Sequence, residues 1–256
     1  MIRRRSTAAD LAAAWERNAK NWITWARAAG HDSYWRFSRD LFLEIVPRPG
    51  RRTLDLGCGE GRLSRDLKAL GHEIVGVDLS ETMLASAREA DPAIETHKAD
   101  AAELPFADAS FDCVVAFMSL QDIERLDESV AEAARVLERG GAFCIAIVHP
   151  MNSAGAFEGD EADSPFTITG SYLETSYYAD EIERDGLSLE IVSVHRPLES
   201  YAAALTKAGL LIEELREPRL PESGLQTERG RRWQRIPLFL FLRAVKPRSS
   251  QRLQPG

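Results

Sequence analysis

Thr53-Leu54-Asp55-Leu56-Gly57-Cys58-Gly59-Glu60-Gly61 is the stretch on which the reading of this chain turns. An apolar start with an embedded acid gives way to glycines at alternate positions, and helix-forming residues follow over 62–70. That order describes a buried parallel strand, a tight turn and a helix N-terminus. Glycine reaches positive φ cheaply and lets a ligand approach the backbone. The helix start adds unpaired N–H groups and a partial positive charge. Such a turn holds the polar end of a nucleotide-like cofactor. A dinucleotide asks for Gly-x-Gly-x-x-Gly, whose third glycine allows close helix–strand packing. Begun at Gly57, that pattern meets Arg62 in the third glycine slot. Asp55 and Glu60 would also repel a pyrophosphate, and they suit a ligand that carries positive charge.

Downstream, a second strand over 72–77 ends at Asp78, and Ser80 caps a helix reaching residue 90. Asp78 stands 21 residues beyond Gly57, where a carboxylate accepts hydrogen bonds from ribose hydroxyls. A third strand over 94–99 again ends in an acid, Asp100, followed by Ala101. Residues 111–120 form a fourth, nearly continuous apolar run, as expected of a sheet covered on both faces. A helix over 127–138 leads through Gly140 and Gly141 to a fifth strand over 142–148. Strands alternating with helices make a parallel, doubly wound α/β sheet, with ligands outside the C-terminal strand ends. Asp78, Asp100, the segment from Met118 to Asp122, and His149 all fall there. A helix over 197–209, a sixth strand over 210–215 and a last strand over 236–242 complete the sheet.

The Asp-x-Gly-x-Gly-x-Gly spelling of residues 55–61 resembles the first motif of the class I S-adenosylmethionine-dependent methyltransferases. The Ser110-Phe111-Asp112 to Arg135-Val136-Leu137-Glu138-Arg139-Gly140-Gly141 cadence is similar to theirs as well. S-adenosylmethionine carries a sulfonium and an ammonium and no phosphate, in keeping with the acids around the turn. The resemblance covers 53–141 and extends more loosely to 245. It implies a Rossmann-like, mostly parallel seven-stranded sheet whose last strand slips antiparallel between two others. It further implies that Asp55, Gly57, Gly59 and Gly61 hold the methionine part, with Cys58 and Glu60 in the same turn. Asp78 would take the ribose, Leu79 and Met83 the neighbouring wall, Asp100 and Ala101 the adenine, and Met118 the region of the methionine amino group. Two other readings of the turn are an NAD-dependent oxidoreductase and a non-catalytic cofactor-binding protein of the same fold.

Composition narrows the acceptor. A net charge of −8 argues against a nucleic-acid partner, whose binding groove needs a Lys/Arg surplus. No Asn-Pro-Pro-Tyr signature follows the fourth strand, which continues Met118-Ser119-Leu120-Gln121-Asp122. A small-molecule acceptor is expected, with oxygen slightly ahead of nitrogen or carbon as the methylated atom. No apolar run approaches the ~20 residues of a membrane span, and the N-terminus lacks a signal-peptide core, so a cytoplasmic, membrane-free protein is expected, as monomer or homodimer. Arg3 to Arg5 is read as a solvated end. Cys113 and Cys144 are core residues, and the three cysteines show no metal-ligand spacing. His149, at the mouth of the fifth strand, is the candidate general base, since imidazole titrates near neutrality and Pro150 keeps its backbone extended. A hydrogen-bonded strand-end histidine is the other reading of it. His195 and Asp122 are the secondary candidates.

The organisation expected is a helical cap over 1–50, a cofactor-binding core over 51–150, an insert over 151–197, the rest of the core over 198–247, and a disordered tail over 248–256. In the cap, Leu11, Trp15, Asn18, Trp22 and Trp25 form one stripe of a helix over 7–30, with Thr7 and Asp10 as a capping box. A second helix spans 34–46. Trp15, Trp22, Tyr34 and Trp35 either pack the cap or roof the site. The insert reads as a substrate lid or a dimerising arm. It carries a hairpin over 166–195 turning at Asp185-Gly186, with a phase shift at Val192 and Val194 assigned to a bulge.

Overall fold

The computed structural model describes residues 2–5, 11–28, 30–184 and 186–248. The chain opens with β1 (Ile2–Arg5) and α1 (Leu11–Arg27). A π-helical turn (Tyr34–Ser38) then runs into a short α2 (Arg39–Leu43). The core follows as β2 (Thr53–Leu56), α3 (Arg62–Ala69), β3 (Ile74–Asp78), α4 (Glu81–Ala90) and β4 (Glu95–Lys98). It continues with β5 (Phe111–Phe117), α5 (Leu126–Val136) and β6 (Leu137–Val148). The insert contains α6 (Pro150–Ser153), β7 (Gly155–Phe157), β8 (Phe166–Ile168), β9 (Ser176–Arg184) and β10 (Leu187–His195). Last come α7 (Leu198–Lys207), β11 (Leu211–Arg216), α8 (Glu228–Arg231) and β12 (Phe239–Val245).

Seven strands form the main sheet in the order β11-β12-β6-β5-β2-β3-β4. The strands from β2 to β6 are parallel, and β12 lies antiparallel between β6 and β11. This is the α/β, doubly wound, mostly parallel arrangement expected. Period-two alternation explains its two cores. Leu54, Val75, Val114, Ile145 and Leu242 face α5 and α7, where Val130, Ala133, Tyr201 and Leu205 meet them. Cys113, Val115, Cys144 and Phe241 face the other way, onto Phe42, Ile45, Leu63 and Leu67. Truncating a buried aromatic such as Phe241 would cost about 3–5 kcal/mol. Pro237 cannot donate to a ladder, and regular pairing of the last strand starts at Phe239, three residues later than the apolar run suggests.

The hairpin begins at Ser176 and not at 166, because β8 pairs with β7 in a separate two-stranded sheet, and the insert departs from expectation in two further respects. First, β9 and β10 pair in continuous register from Leu187↔Arg184 to His195↔Ser176, without a bulge. The phase shift has another cause: Val192, Ser193, Val194 and His195 are all buried, because both faces of the strand end are covered. Leu11 and Ala14 of α1 pack there against Ala179, Val192 and Val194. Second, Arg3 to Arg5 is not a solvated end, since β1 joins β9 as the third strand of this smaller sheet. Arg3 is 10% exposed and forms a two-pronged ion pair with Asp180, at 2.8 and 2.7 Å. The strands stop at Arg184 and resume at Leu187, consistent with the expected turn position. Asp185 itself, the Thr7/Asp10 box and tail residues 249–256 lie outside the described residues. Among the described residues no helix is long and apolar enough to cross a membrane.

Candidate active site

The glycine turn follows β2 directly. Gly57, Gly59 and Gly61 all have positive φ, of 75°, 55° and 80°. The amides of Gly57 and Cys58 both donate to the Val77 carbonyl, at 2.8 and 2.9 Å, which ties the turn to β3. A Cβ on Gly57 would lie 2.5 Å from the Ser119 Cβ, whereas one on Gly59 would meet nothing within 4 Å. The first glycine is therefore required by packing, and the second leaves backbone open to a ligand. Asp78, ending β3, accepts from the Gly59 amide and the Ser80 amide at 2.9 Å each. Ser80 caps α4 by accepting from the Met83 amide. An ionised carboxylate offers about four lone-pair sites, so acceptor capacity remains on Asp78 toward the open side. Burial pushes its carboxyl above the usual range.

That open side is a cavity of about 520 Å³, within the roughly 300–1,000 Å³ typical of small-ligand sites. It has two halves. One is walled by Gly57, Cys58 and Gly59, by Asp78, Leu79 and Met83, by Asp100 and Ala101, and by Met118. These expected residues come together because their strands end side by side. Met118 has φ 54°, a left-handed conformation for a non-glycine residue, and it turns the chain at the end of β5 into the site. Its strain is of the kind concentrated at functional positions. Asp100 holds its own loop by accepting from the Ala102 amide. The Cys58 thiol is pushed well up by burial and by Asp78 and Asp55, which removes any thiolate role.

The other half lies beneath the smaller sheet. Trp15 and Trp22 of α1, packed edge to face at 5.6 Å, wall it together with Ile182, Ile191 and Phe239. Of the aromatics considered for a roof, these two take that place. Tyr34 is a fully buried core residue, hydrogen-bonded to Asp66, and Trp35 is 45% exposed. Polar groups enter this half at Arg3, Asp122, Tyr178, Asp180 and Ser193. Asp122 sits on a short 3₁₀ turn after β5 and accepts from the Ser193 hydroxyl and from the Gln121 amide at 3.2 Å. It is half-buried and lines the cavity. Burial pushes its carboxyl up to about 8, against the opposing effects of Ser193, Gln121 and Arg196.

Several expected site residues are not where the spelling put them. Asp55 lies under the turn, not on the cavity wall, and accepts from the Ser64 hydroxyl at 2.6 Å, with burial pushing its carboxyl up to about 7. Gly61 faces Ala87 of α4 and also misses the wall. Glu60 does line the cavity, but its carboxylate is taken up by Arg65, at 2.9 Å, and by Arg27, at 3.0 Å, so it offers the cavity no free charge. His149 does not line the cavity. Its Nδ1 caps α6 by accepting from the Met151 amide, its Nε2 lies 3.0 Å from Glu217, and burial lowers its pKa. Pro150 is the reason: it opens a helix at its first position, where proline is favoured, and turns the imidazole inward. His195 is likewise occupied, by Ser153 at 2.7 Å and the Tyr172 carbonyl at 3.0 Å. Arg62 was the residue that broke the dinucleotide pattern. It lines the cavity, paired with Asp32 at 3.0 Å and stacked on Tyr34 and Trp22.

Comparison with known proteins agrees with this geometry. Residues 54–145 match the methyltransferase domain family. Over 125 residues the chain is 37% identical to the demethylmenaquinone methyltransferase of Chlorobaculum parvum, covering 48% of this chain and 51% of that protein. It is 38% identical over 112 residues to the malonyl-[acyl-carrier protein] O-methyltransferase of Enterobacter lignolyticus, 43% of this chain and 45% of that one. The chain thus spans about half the length of the curated relatives it matches. An S-adenosylmethionine-dependent methyltransferase of known structure from Mesorhizobium loti superposes with a TM-score of 0.68 at 26% identity, over 84% of this chain and 98% of that one. With the glycine turn, the strand-end acids and the antiparallel seventh strand in place, residues 54–145 form a methyltransferase domain of the class I, S-adenosylmethionine-dependent kind.

Proposed function

We propose that this protein transfers the methyl group of S-adenosylmethionine to a small, mainly apolar acceptor, with oxygen as the favoured atom. The observation that carries the reading is the continuity of one cavity from the glycine turn and Asp78 to an apolar chamber under β9 and β10. The residues present fit the cofactor. Gly59 has open space where a side chain would intrude, and Asp78 keeps acceptor capacity for ribose hydroxyls. In this reading Gly57, Gly59 and Met118 border the methionine part, Leu79 and Met83 the ribose, and Asp100 and Ala101 the adenine. Bound there, S-adenosylmethionine supplies an electrophilic methyl on sulfur. The chain's contribution is orientation: an acceptor must sit about 3–3.5 Å from the methyl, in line with the breaking bond. Trp15, Trp22, Ile182, Ile191 and Phe239 supply the packing surfaces for that placement.

The acceptors in the names of the two relatives, demethylmenaquinone and a malonyl-carrier protein, differ from one another, so the choice rests on the chamber. Its enclosure by α1 and the small sheet favours a compact molecule over a nucleic acid. The insert over 151–197 serves as the acceptor lid, completed by β1 from the other end of the chain. Incubation with methyl-labelled S-adenosylmethionine and a metabolite extract tests the proposal. Label should appear in the fraction extracted by organic solvent. Label confined to protein or nucleic acid, or absent from every fraction, would refute it.

A further inference from the structure

Asp122 is a half-buried carboxylate on the wall of a ligand cavity, and among the described residues it forms no ion pair. The groups facing it can be named from every side. From the small sheet come the Ser193 hydroxyl and Tyr178, with the Arg3–Asp180 pair behind Tyr178. Arg196 and Tyr201 approach from beyond β10. Arg196 directs its guanidinium to the carbonyls of Leu120, Ile123 and Glu124, at 3.3, 2.7 and 3.0 Å. Its charge is thus near Asp122 while its hydrogens are committed elsewhere. A carboxylate left in this state has a driving force to take a proton, and its place on the cavity wall lets a bound acceptor supply it.

Position adds to the argument. Asp122 is three residues from Ser119, whose hydroxyl donates to the Leu56 carbonyl at 2.7 Å and whose Cβ packs on Gly57. One short turn therefore connects the glycine turn to the chamber, with Asp122 at the junction of the two halves. The charge balance of the walls argues against an anionic acceptor. Among the described residues lining the cavity, the three arginines, Arg3, Arg62 and Arg125, are each paired with a carboxylate. Each guanidinium charge is thus balanced by a carboxylate, although Arg62 Nη1 makes no hydrogen bond. Around Asp122, Gln121, Asn152, Tyr178 and Ser193, the chamber walls are aromatic and aliphatic, from Trp15, Trp22, Ile182, Ile191 and Phe239.

We infer that Asp122 is the catalytic base of this enzyme and that its acceptor is an uncharged, flat apolar molecule bearing an acidic hydroxyl, of the phenol or enol class. The inference rests on the methyl-transfer reading above. The step is balanced: as the oxygen–methyl bond forms, the hydroxyl proton passes to the Asp122 carboxylate. The sulfur–methyl bond breaks with its electron pair kept by sulfur, which leaves as a neutral thioether. Ser193 is a positioning residue that holds the carboxylate toward the chamber and favours its charged form.

2-Naphthol and its methyl ether, 2-methoxynaphthalene, are suitable probes, titrated calorimetrically into the protein saturated with S-adenosylhomocysteine. The parent should bind the hydroxyl compound at least ten-fold more tightly than the ether. Asp122→Asn should reduce that preference to three-fold or less, and should lower labelled-methyl transfer to 2-naphthol by at least 100-fold, within the ~10²–10⁴-fold worth of a general base. S-adenosylhomocysteine affinity should stay within a few-fold. Ser193→Ala should move the pH profile of transfer to higher pH, because the hydrogen bond that favours the carboxylate is gone. Should Asp122→Asn keep the hydroxyl preference and transfer within ten-fold of the parent, or Ser193→Ala leave the profile in place, the role of Asp122 is overturned. Binding of S-adenosylhomocysteine without binding of either naphthalene would overturn the acceptor class. Failure of the parent to bind S-adenosylhomocysteine would overturn the underlying reading instead.

Discussion

Replacing Asp78 by alanine separates the turn's architecture from its affinity for cofactor. The carboxylate spends one oxygen on the Gly59 amide and the other on the Ser80 amide, each at 2.9 Å. Both amides border the cavity, so water can replace the lost acceptor, and the structural cost should be at most about 1 kcal/mol for each. The lone pairs left over are the ones a ribose would use. A hydrogen bond to a charged group contributes about 1.5–3 kcal/mol, which corresponds to a rise of about 10- to 150-fold in Kd. Calorimetric titration with S-adenosylhomocysteine reads that number, and thermal unfolding of the free protein reads the structural part separately. A folded Asp78→Ala protein that binds within three-fold of the parent would refute the assignment of Asp78 to the cofactor.

Three further outcomes are expected. Because the native chain holds the Asp122 carboxyl at about 8 against an ordinary 3.8, it keeps a proton where the unfolded chain has lost one. Stability therefore falls as pH rises from about 4 to 8; Asp122→Asn should unfold at a higher temperature than the parent near pH 8, the gap closing below about pH 4, and curves that run in parallel would contradict this. Arg3→Ala leaves Asp180 unpaired at 11% side-chain exposure, so it should destabilise by about 3 kcal/mol in denaturant titrations while S-adenosylhomocysteine affinity stays within several-fold; a loss below about 1 kcal/mol would mean that β1 is not anchored by this pair. Gly57→Ala places its Cβ 2.5 Å from that of Ser119 and should lower the thermal midpoint more than Gly59→Ala, whose cost is the roughly 1–2 kcal/mol of a left-handed alanine. Gly59→Ala should in turn lose S-adenosylhomocysteine affinity, and full affinity there would remove the turn from the cofactor site.

What the sequence made legible was local and periodic. Alternation along β2, β5, β6 and β12 gave the two-faced core, and the spaced glycines with Asp78 and Asp100 marked the strand ends that wall the cavity. What it hid depended on partners distant in sequence. Arg3 reads as a surface charge until Asp180, 177 positions away, is placed beside it. Asp122 reads as a loop acid until Ser193, 71 positions away, closes over it. Glu60 shows the opposite failure: a carboxylate inside the turn looks available, yet Arg27 and Arg65 reach it from two helices. His149 was misplaced by a single local rule. The residue before a proline avoids the helical region, which is true of its backbone, but Pro150 begins a helix and makes the imidazole its cap. The aromatic stripe of α1 gave both its readings at once, since Leu11 and Trp25 are buried and Trp15, Trp22 and Trp25 all border the cavity.

A crystal structure of the protein grown with S-adenosylhomocysteine tests the central claim most directly. The account predicts the ligand lying across Gly57 and Gly59, its ribose hydroxyls within hydrogen-bonding distance of Asp78, and its sulfur on the side of the chamber that contains Asp122. S-adenosylhomocysteine bound elsewhere on the chain, or in this cavity with its sulfur directed away from the space under β9 and β10, would contradict it.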